Sequence, residues 1–233
     1  MFKLAPGGRT PGAVRVRVWD LPTRVFHWGL VLVVGGALVT AQIGGNLMVW
    51  HMRLGLAVLA LLAFRLVWGL IGGRWSRFVR FTYSPAAVLR YLRGREAVGD
   101  HFEVGHNPLG TASVWAMLLL LAFQVATGLM ADDEIADAGP LALRVGEDVA
   151  SAATGLHTQW GQPLIYVLLS LHVAAIVWYR LRRVDLVRPM VTGDKWLPSA
   201  VPESRDTVWT RLLALVVVAI CSAAAVWING LGA

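Results

Sequence analysis

The chain has 233 residues, of which 57% are hydrophobic and 15% charged, with a formal net charge of +7. Soluble domains carry charge on about 25% of their residues. Here several uncharged runs of about 20 residues are each long enough to cross a bilayer as a helix. Soluble enzyme folds, β-barrels and disordered chains are thereby excluded. The single cysteine, Cys221, excludes a disulfide framework, a cysteine-based zinc site and an iron–sulfur cluster held by this chain alone.

In chain order the apolar runs predict five membrane spans. The first covers about Val25 to Ile43 and stops at Gly44-Gly45. The second covers about Leu47 to Ile71 and stops at Gly72-Gly73. The third covers about Thr111 to Met130 after Asn107-Pro108, the fourth Gln159 to Trp178 and the fifth Leu212 to Ile228. Between the second and third, Ser84 and Pro85 open a short surface helix over 84–93, as cap and first-turn residue. Its basic face is suited to anionic lipid headgroups, and a solvated loop helix is the alternative. The polar lead of about 20 residues does not read as a cleaved signal peptide.

Charge sorts with these spans. Residues 1–24 carry five positive residues (Lys3, Arg9, Arg15, Arg17, Arg24) and one acid; the second connection carries six arginines and three acids; residues 180–211 carry seven positive residues and four acids. The connection 131–156 instead has six acids (Asp132, Asp133, Glu134, Asp137, Glu147, Asp148) against Arg144. The positive-inside rule then places the N-terminus in the cytoplasm and the C-terminus outside. Because the basic residues follow topology, the high pI is no sign of a nucleic-acid partner.

Ionisable groups inside a membrane are costly and usually functional. His27 falls near the inner end of span one and His51 near the outer end of span two. His157 falls at the outer start of span four, and His172 deeper in the same span. His157 and His172 are 15 residues apart, roughly 22 Å of rise and roughly 60° around the axis, so both can face one bundle interior. Two pairs result, His27 with His172 and His51 with His157, one near each leaflet. Paired imidazoles from different helices suit the two axial positions of a low-spin b-type haem. Zinc fits less well, for no carboxylate or cysteine completes a tetrahedral shell. Hydrogen-bonded structural histidines remain the alternative. Arg53 and Arg65 are candidates to bind haem propionates, with snorkelling the alternative for Arg65. The tryptophans near span ends read as interfacial belts.

Several runs resemble the bacterial cytochrome b561 / nickel-iron hydrogenase cytochrome b subunit family over about residues 15–197. They are Val18-Trp19-Asp20-Leu21-Pro22-Thr23-Arg24-Val25-Phe26-His27-Trp28, Trp50-His51-Met52-Arg53-Leu54-Gly55, Phe64-Arg65-Leu66-Val67-Trp68-Gly69, Gly105-His106-Asn107-Pro108-Leu109-Gly110, Leu171-His172-Val173 and Arg188-Pro189-Met190-Val191-Thr192-Gly193. The resemblance implies an all-α, polytopic membrane bundle. A cytoplasmic segment (1–24) leads to a four-helix di-haem core (25–183), then a cytoplasmic linker (184–211) and a fifth transmembrane helix (212–233). It implies two haem b groups, His27 and His172 holding the inner and His51 and His157 the outer. The location implied is the bacterial inner membrane, with electrons passing between quinone and a periplasmic redox protein such as a c-type cytochrome.

Two departures stand out. The histidines of span four are one residue further apart than in relatives, which Pro163 could absorb as a kink or bulge. The fifth helix lies beyond the shared four, and its small residues Ala219, Ser222 and Ala223 suit packing on the bundle or on a second subunit, as in a homo-oligomer. His106 and Asn107 are candidates to hydrogen-bond a quinone; a turn-and-cap role for Asn107-Pro108 competes, and His101 reads as a solvated loop residue. The acidic connection suits steering of a basic partner. Alternatives kept open are a haem-bearing anchor for a hydrogenase or other periplasmic dehydrogenase, a superoxide:quinone oxidoreductase, and a haem-free transporter or structural anchor.

Overall fold

The computed structural model describes residues 12–95, 101–135 and 137–232. Lys3 and Arg9 of the basic N-terminal segment lie outside the described residues. The chain is mostly helical, with β1 (Val14–Arg17), α1 (Leu21–Ile43), α2 (Met48–Ile71), α3 (Phe78–Phe81), α4 (Pro85–Leu92) and α5 (Pro108–Met130) in its first part. There follow α6 (Ala142–Val145), α7 (Glu147–Gly155), a π turn (Leu156–Gly161), α8 (Gln162–Leu181), α9 (Val187–Thr192), β2 (Asp194–Leu197) and α10 (Val208–Asn229). Among the described residues five helices are long and apolar enough to cross a membrane: α1, α2, α5, the continuous stretch Glu147–Leu181, and α10. Leu32, Leu70, Leu119 and Leu215, one on each of four of them, are 65–75% exposed. Such apolar surface is intolerable in water and natural against acyl chains.

Helix starts follow local chemistry. Ser84 Oγ accepts the Ala87 N–H at 3.3 Å and Pro85 occupies the first turn of α4, as expected. Asp20 caps α1 by accepting the Thr23 N–H at 2.9 Å, so α1 begins four residues before the apolar run suggests. Asn107 Oδ1 accepts the Gly110 N–H at 2.8 Å and starts α5 at Pro108. The α1–α2 turn needs left-handed backbone at Gly44 and Gly45 (φ 66° and 55°), which glycine supplies without a Cβ penalty.

The chain divides into two compact units whose boundaries fall inside the long helices. One comprises residues 1–24, 67–115 and 170–212, the other 25–66, 116–169 and 213–233. The first holds a small folded cap rather than loose connections. β1 pairs antiparallel with β2, Val14 opposite Leu197 and Arg17 opposite Asp194, and Val16, Val18, Trp19, Trp75, Val104 and Leu197 form its core. Gly193 O accepts the N–H groups of Val18 and Trp19 at 2.9 and 3.0 Å, and Ser204 Oγ donates to Val18 O at 2.6 Å. Within 184–211, expected as a linker, the stretch from Gly193 to Ser204 thus bonds to residues 14–19.

Asp206 gathers Arg17 (3.1 Å), Arg24 (3.8 Å) and Arg211 (2.9 Å). Burial pulls its carboxyl up. The hydrogen bonds from Arg211 and the Leu21 backbone, with the Arg211 and Arg17 charges, outweigh that and hold it below its ordinary value.

In the second unit Val34, Val58 and Leu62 form a core with Leu30, Leu121, Val125 and Leu169 around it. α10 buries Ala214, Val217, Cys221 and Ala225, a stripe at three- and four-residue spacing. The expected small-residue face, Ala219, Ser222 and Ala223, is instead exposed.

Candidate functional site

His51 and His157 are brought together in the second unit. Their ring centroids stand 6.0 Å apart with the planes at 80°. Two imidazoles bonded to one metal from opposite sides, each at roughly 2 Å, have centroids about 6 Å apart. His51 Nδ1 lies 2.9 Å from the carbonyl of Ala37 in α1, and His157 Nδ1 lies 2.9 Å from the carbonyl of Gln124 in α5. A carbonyl only accepts, so each Nδ1 carries a proton, and in the neutral ring Nε2 then keeps its lone pair. That is the tautomer a metal-binding imidazole requires, oriented by the backbone contact that commonly accompanies such ligands.

Both rings line a cavity of about 290 Å³. Its walls are mainly apolar, from Val34, Leu38, Met52, Leu56, Val58 and Leu121 among others, with Asp133, Asp137 and Asn229 also contributing. Gly55, one turn after His51, lines it too, and a Cβ built there would meet nothing within 4 Å. A flat apolar macrocycle could lie against that backbone. At Gly128 the reverse holds, for a Cβ would stand 2.9 Å from His157 Cε1 and 3.2 Å from Nδ1. The donor set, the tautomers and the apolar walls therefore fit a haem.

The π turn places His157. Sequence alone predicts span four to start at Gln159, but the helix runs unbroken from Glu147, and His157 sits inside it. The turn ends just before Pro163, which has no N–H to continue the regular ladder. The expected bulge is thus present, immediately N-terminal to that proline.

The other candidates are placed as follows. His27 is half-buried in α1, its ring edge-on to Trp28 at 5.2 Å. His172 is half-buried in α8. His27 and His172 belong to different units. Arg65 is 4% exposed in α2. Arg53 is exposed, with its guanidinium 5.1 Å from the Trp50 ring centroid, and among the described residues no Arg or Lys lines the cavity. The His106 ring stands 4.8 Å from Trp19 and 4.9 Å from Phe81, and its carbonyl accepts from Tyr83 Oη at 2.7 Å. Asn107 caps α5 and donates to Tyr179 Oη at 3.0 Å, the turn-and-cap role.

Sequence reasoning passed over Gln124, whose Nε2 donates to the His157 carbonyl at 2.9 Å. The signal was available: Gln124 is a polar amide in an apolar span, where such groups are rarely idle.

A model of the prokaryotic cytochrome b561 family matches residues 18–193. The chain belongs to that family, and its five apolar helices of membrane-spanning length make it a multi-pass membrane protein. Among curated proteins it is similar to the probable Ni/Fe-hydrogenase 1 B-type cytochrome subunits of Escherichia coli K12 and O157:H7. Each is 24% identical over 139 residues, 48% of this chain and 57% of the relative. The chain thus spans little more than half the length of the curated relatives it matches. No solved structure matches.

Proposed function

We propose that the chain carries electrons across the bacterial inner membrane through two haem b groups. His51 and His157 hold the outer one, and His27 and His172 the inner one. The observation that carries this is the neighbouring pair His51–His157, with both Nδ1–H groups on backbone carbonyls. A bound haem supplies an iron that accepts and releases one electron at a time. The protein's own contribution is to fix the two imidazoles, to exclude water with apolar walls and to set nearby charge. Buried Arg65 favours a reduced inner site and binds a propionate.

Electrons enter or leave as quinol and quinone at the arginine-rich, cytoplasmic end. His106 and Asn107 are the quinone candidates there, and Asn107 also caps α5 and donates to Tyr179 Oη. At the acidic end the partner is a basic periplasmic redox protein such as a c-type cytochrome, drawn by the 131–156 carboxylates.

A second reading is favoured by the relatives named as hydrogenase cytochrome subunits: the same scaffold anchors a periplasmic catalytic subunit. A large subunit co-purifying at fixed stoichiometry is its signature. The test of the main reading is pyridine haemochrome stoichiometry on the full chain. Wild type is expected to give two haems, and His51→Ala and His172→Ala one each. A colourless protein, or unchanged haem content in both variants, overturns it.

A further inference from the structure

We propose that Gln124 is a positioning residue of the outer site, its side-chain amide locking the π turn that determines where the His157 ring stands. The proposal rests on reading His51 and His157 as ligands of one haem.

A π turn widens the helix, is rare, and occurs frequently at functional sites. Here the Gln162 N–H donates five residues back, to the carbonyl of His157. That same carbonyl accepts from Gln124 Nε2 at 2.9 Å. In return the His157 ring donates through Nδ1 to the backbone carbonyl of Gln124 at 2.9 Å. One residue on α5 thus fixes both the backbone and the ring of the histidine. A carbonyl faces the amide, so the nitrogen must point toward it, and Oε1 is turned the other way. That oxygen is buried, and no partner satisfies it among the described residues. An amide left half-satisfied in apolar surroundings is unfavourable, and its presence is explained if the N–H is needed.

Two glycines make the clasp possible. A Cβ at Gly161 would lie on Gln124 Oε1, and a Cβ at Gly128 would crowd the imidazole. Gly161 therefore offers a second way to disturb the clasp without altering Gln124.

The test uses the full chain with its haems, as wild type, Gln124→Met, Gly161→Ala, Gln124→Glu and His51→Ala. The outer-site signal is the low-spin electron paramagnetic resonance feature that His51→Ala removes. Gln124→Met and Gly161→Ala are expected to shift that feature, because the imidazole plane turns. They are also expected to release the outer haem to an apoglobin scavenger about 10-fold or more faster, the usual size of effect for a residue supporting a ligand, and to leave the inner haem unchanged. Gln124→Glu is expected to keep the wild-type feature at acid pH, where a neutral carboxyl donates as the amide does, and to shift it on ionisation.

An outer feature and release rate unchanged in both Gln124→Met and Gly161→Ala overturn the proposal, as does loss of both haems together. If His51→Ala removes no feature at all, the ligand reading itself has failed.

Discussion

Asp20 shows how one side chain can carry a junction. It is 0% exposed, and besides capping α1 it accepts from Trp68 Nε1 at 3.1 Å and the Gly73 N–H at 2.7 Å. A buried carboxylate is tolerable because these N–H groups satisfy it. Asp20→Ala leaves three donors stranded and is expected to cost about 1–3 kcal/mol for each one kept from water, read as a lower Tm in detergent. Lys195 is a titratable group of the same unit. Its ammonium donates to the carbonyls of Glu103 and Val104; burial pushes it down to about 8, against the opposing pull of the Glu103 charge. Between that value and the unfolded value near ~10.4, the unfolded chain binds a proton that the folded chain does not, so stability rises with pH. Denaturation midpoints are expected to climb between about pH 8 and 10, and Lys195→Met to flatten the slope. Asp20 is visible in the sequence only as part of a family motif, and Lys195 not at all, since its burial depends on residues about 90 positions away.

Among the elements, α4 and the π turn differ in how local their causes are. Ser84 and Pro85 announce α4, and its start is where local rules put it. Ser84→Ala is expected to cost α4 about 1 kcal/mol, seen as faster amide exchange over 85–92 with the long helices unaffected. The π turn has a partial local cause in Pro163, but its stabilising donor comes from Gln124, 33 residues away in the chain. β1 has the alternation Val14-Arg15-Val16-Arg17 of a strand and becomes one only because Asp194–Leu197 lies beside it. Arg15 and Arg17 pair with Asp194 across that ribbon. The buried stripe of α10 was equally hidden: its helix is rich in small residues all round, and composition does not say which face meets a neighbour.

For the molecule as a whole, charge is the dominant pattern. The first unit carries eighteen positive and eight negative residues, the second three positive and six negative. Under the proposed orientation this partition follows the positive-inside rule and leaves an acidic end for a basic partner. Electron transfer to a basic c-type cytochrome is then expected to slow several-fold as salt rises from about 10 mM to about 150 mM, as the Debye length contracts from roughly 30 to 8 Å. Stopped-flow oxidation at several ionic strengths measures this, and a flat profile removes the steering role.

Sequence by itself determined the membrane class and the five spans, and singled out His51 and His157, whose rings the fold brings together. Each follows from quantities that add up along the chain: apolar length, charge between spans, and the expense of an imidazole in hydrocarbon. Tertiary structure decided how His51 and His157 meet, that Gln124 holds the latter, and that the N-terminal segment folds onto the region after α8. Those outcomes are set by hydrogen bonds and packing between residues far apart in the chain, where a shift of one helical register changes the partner and leaves the composition unchanged.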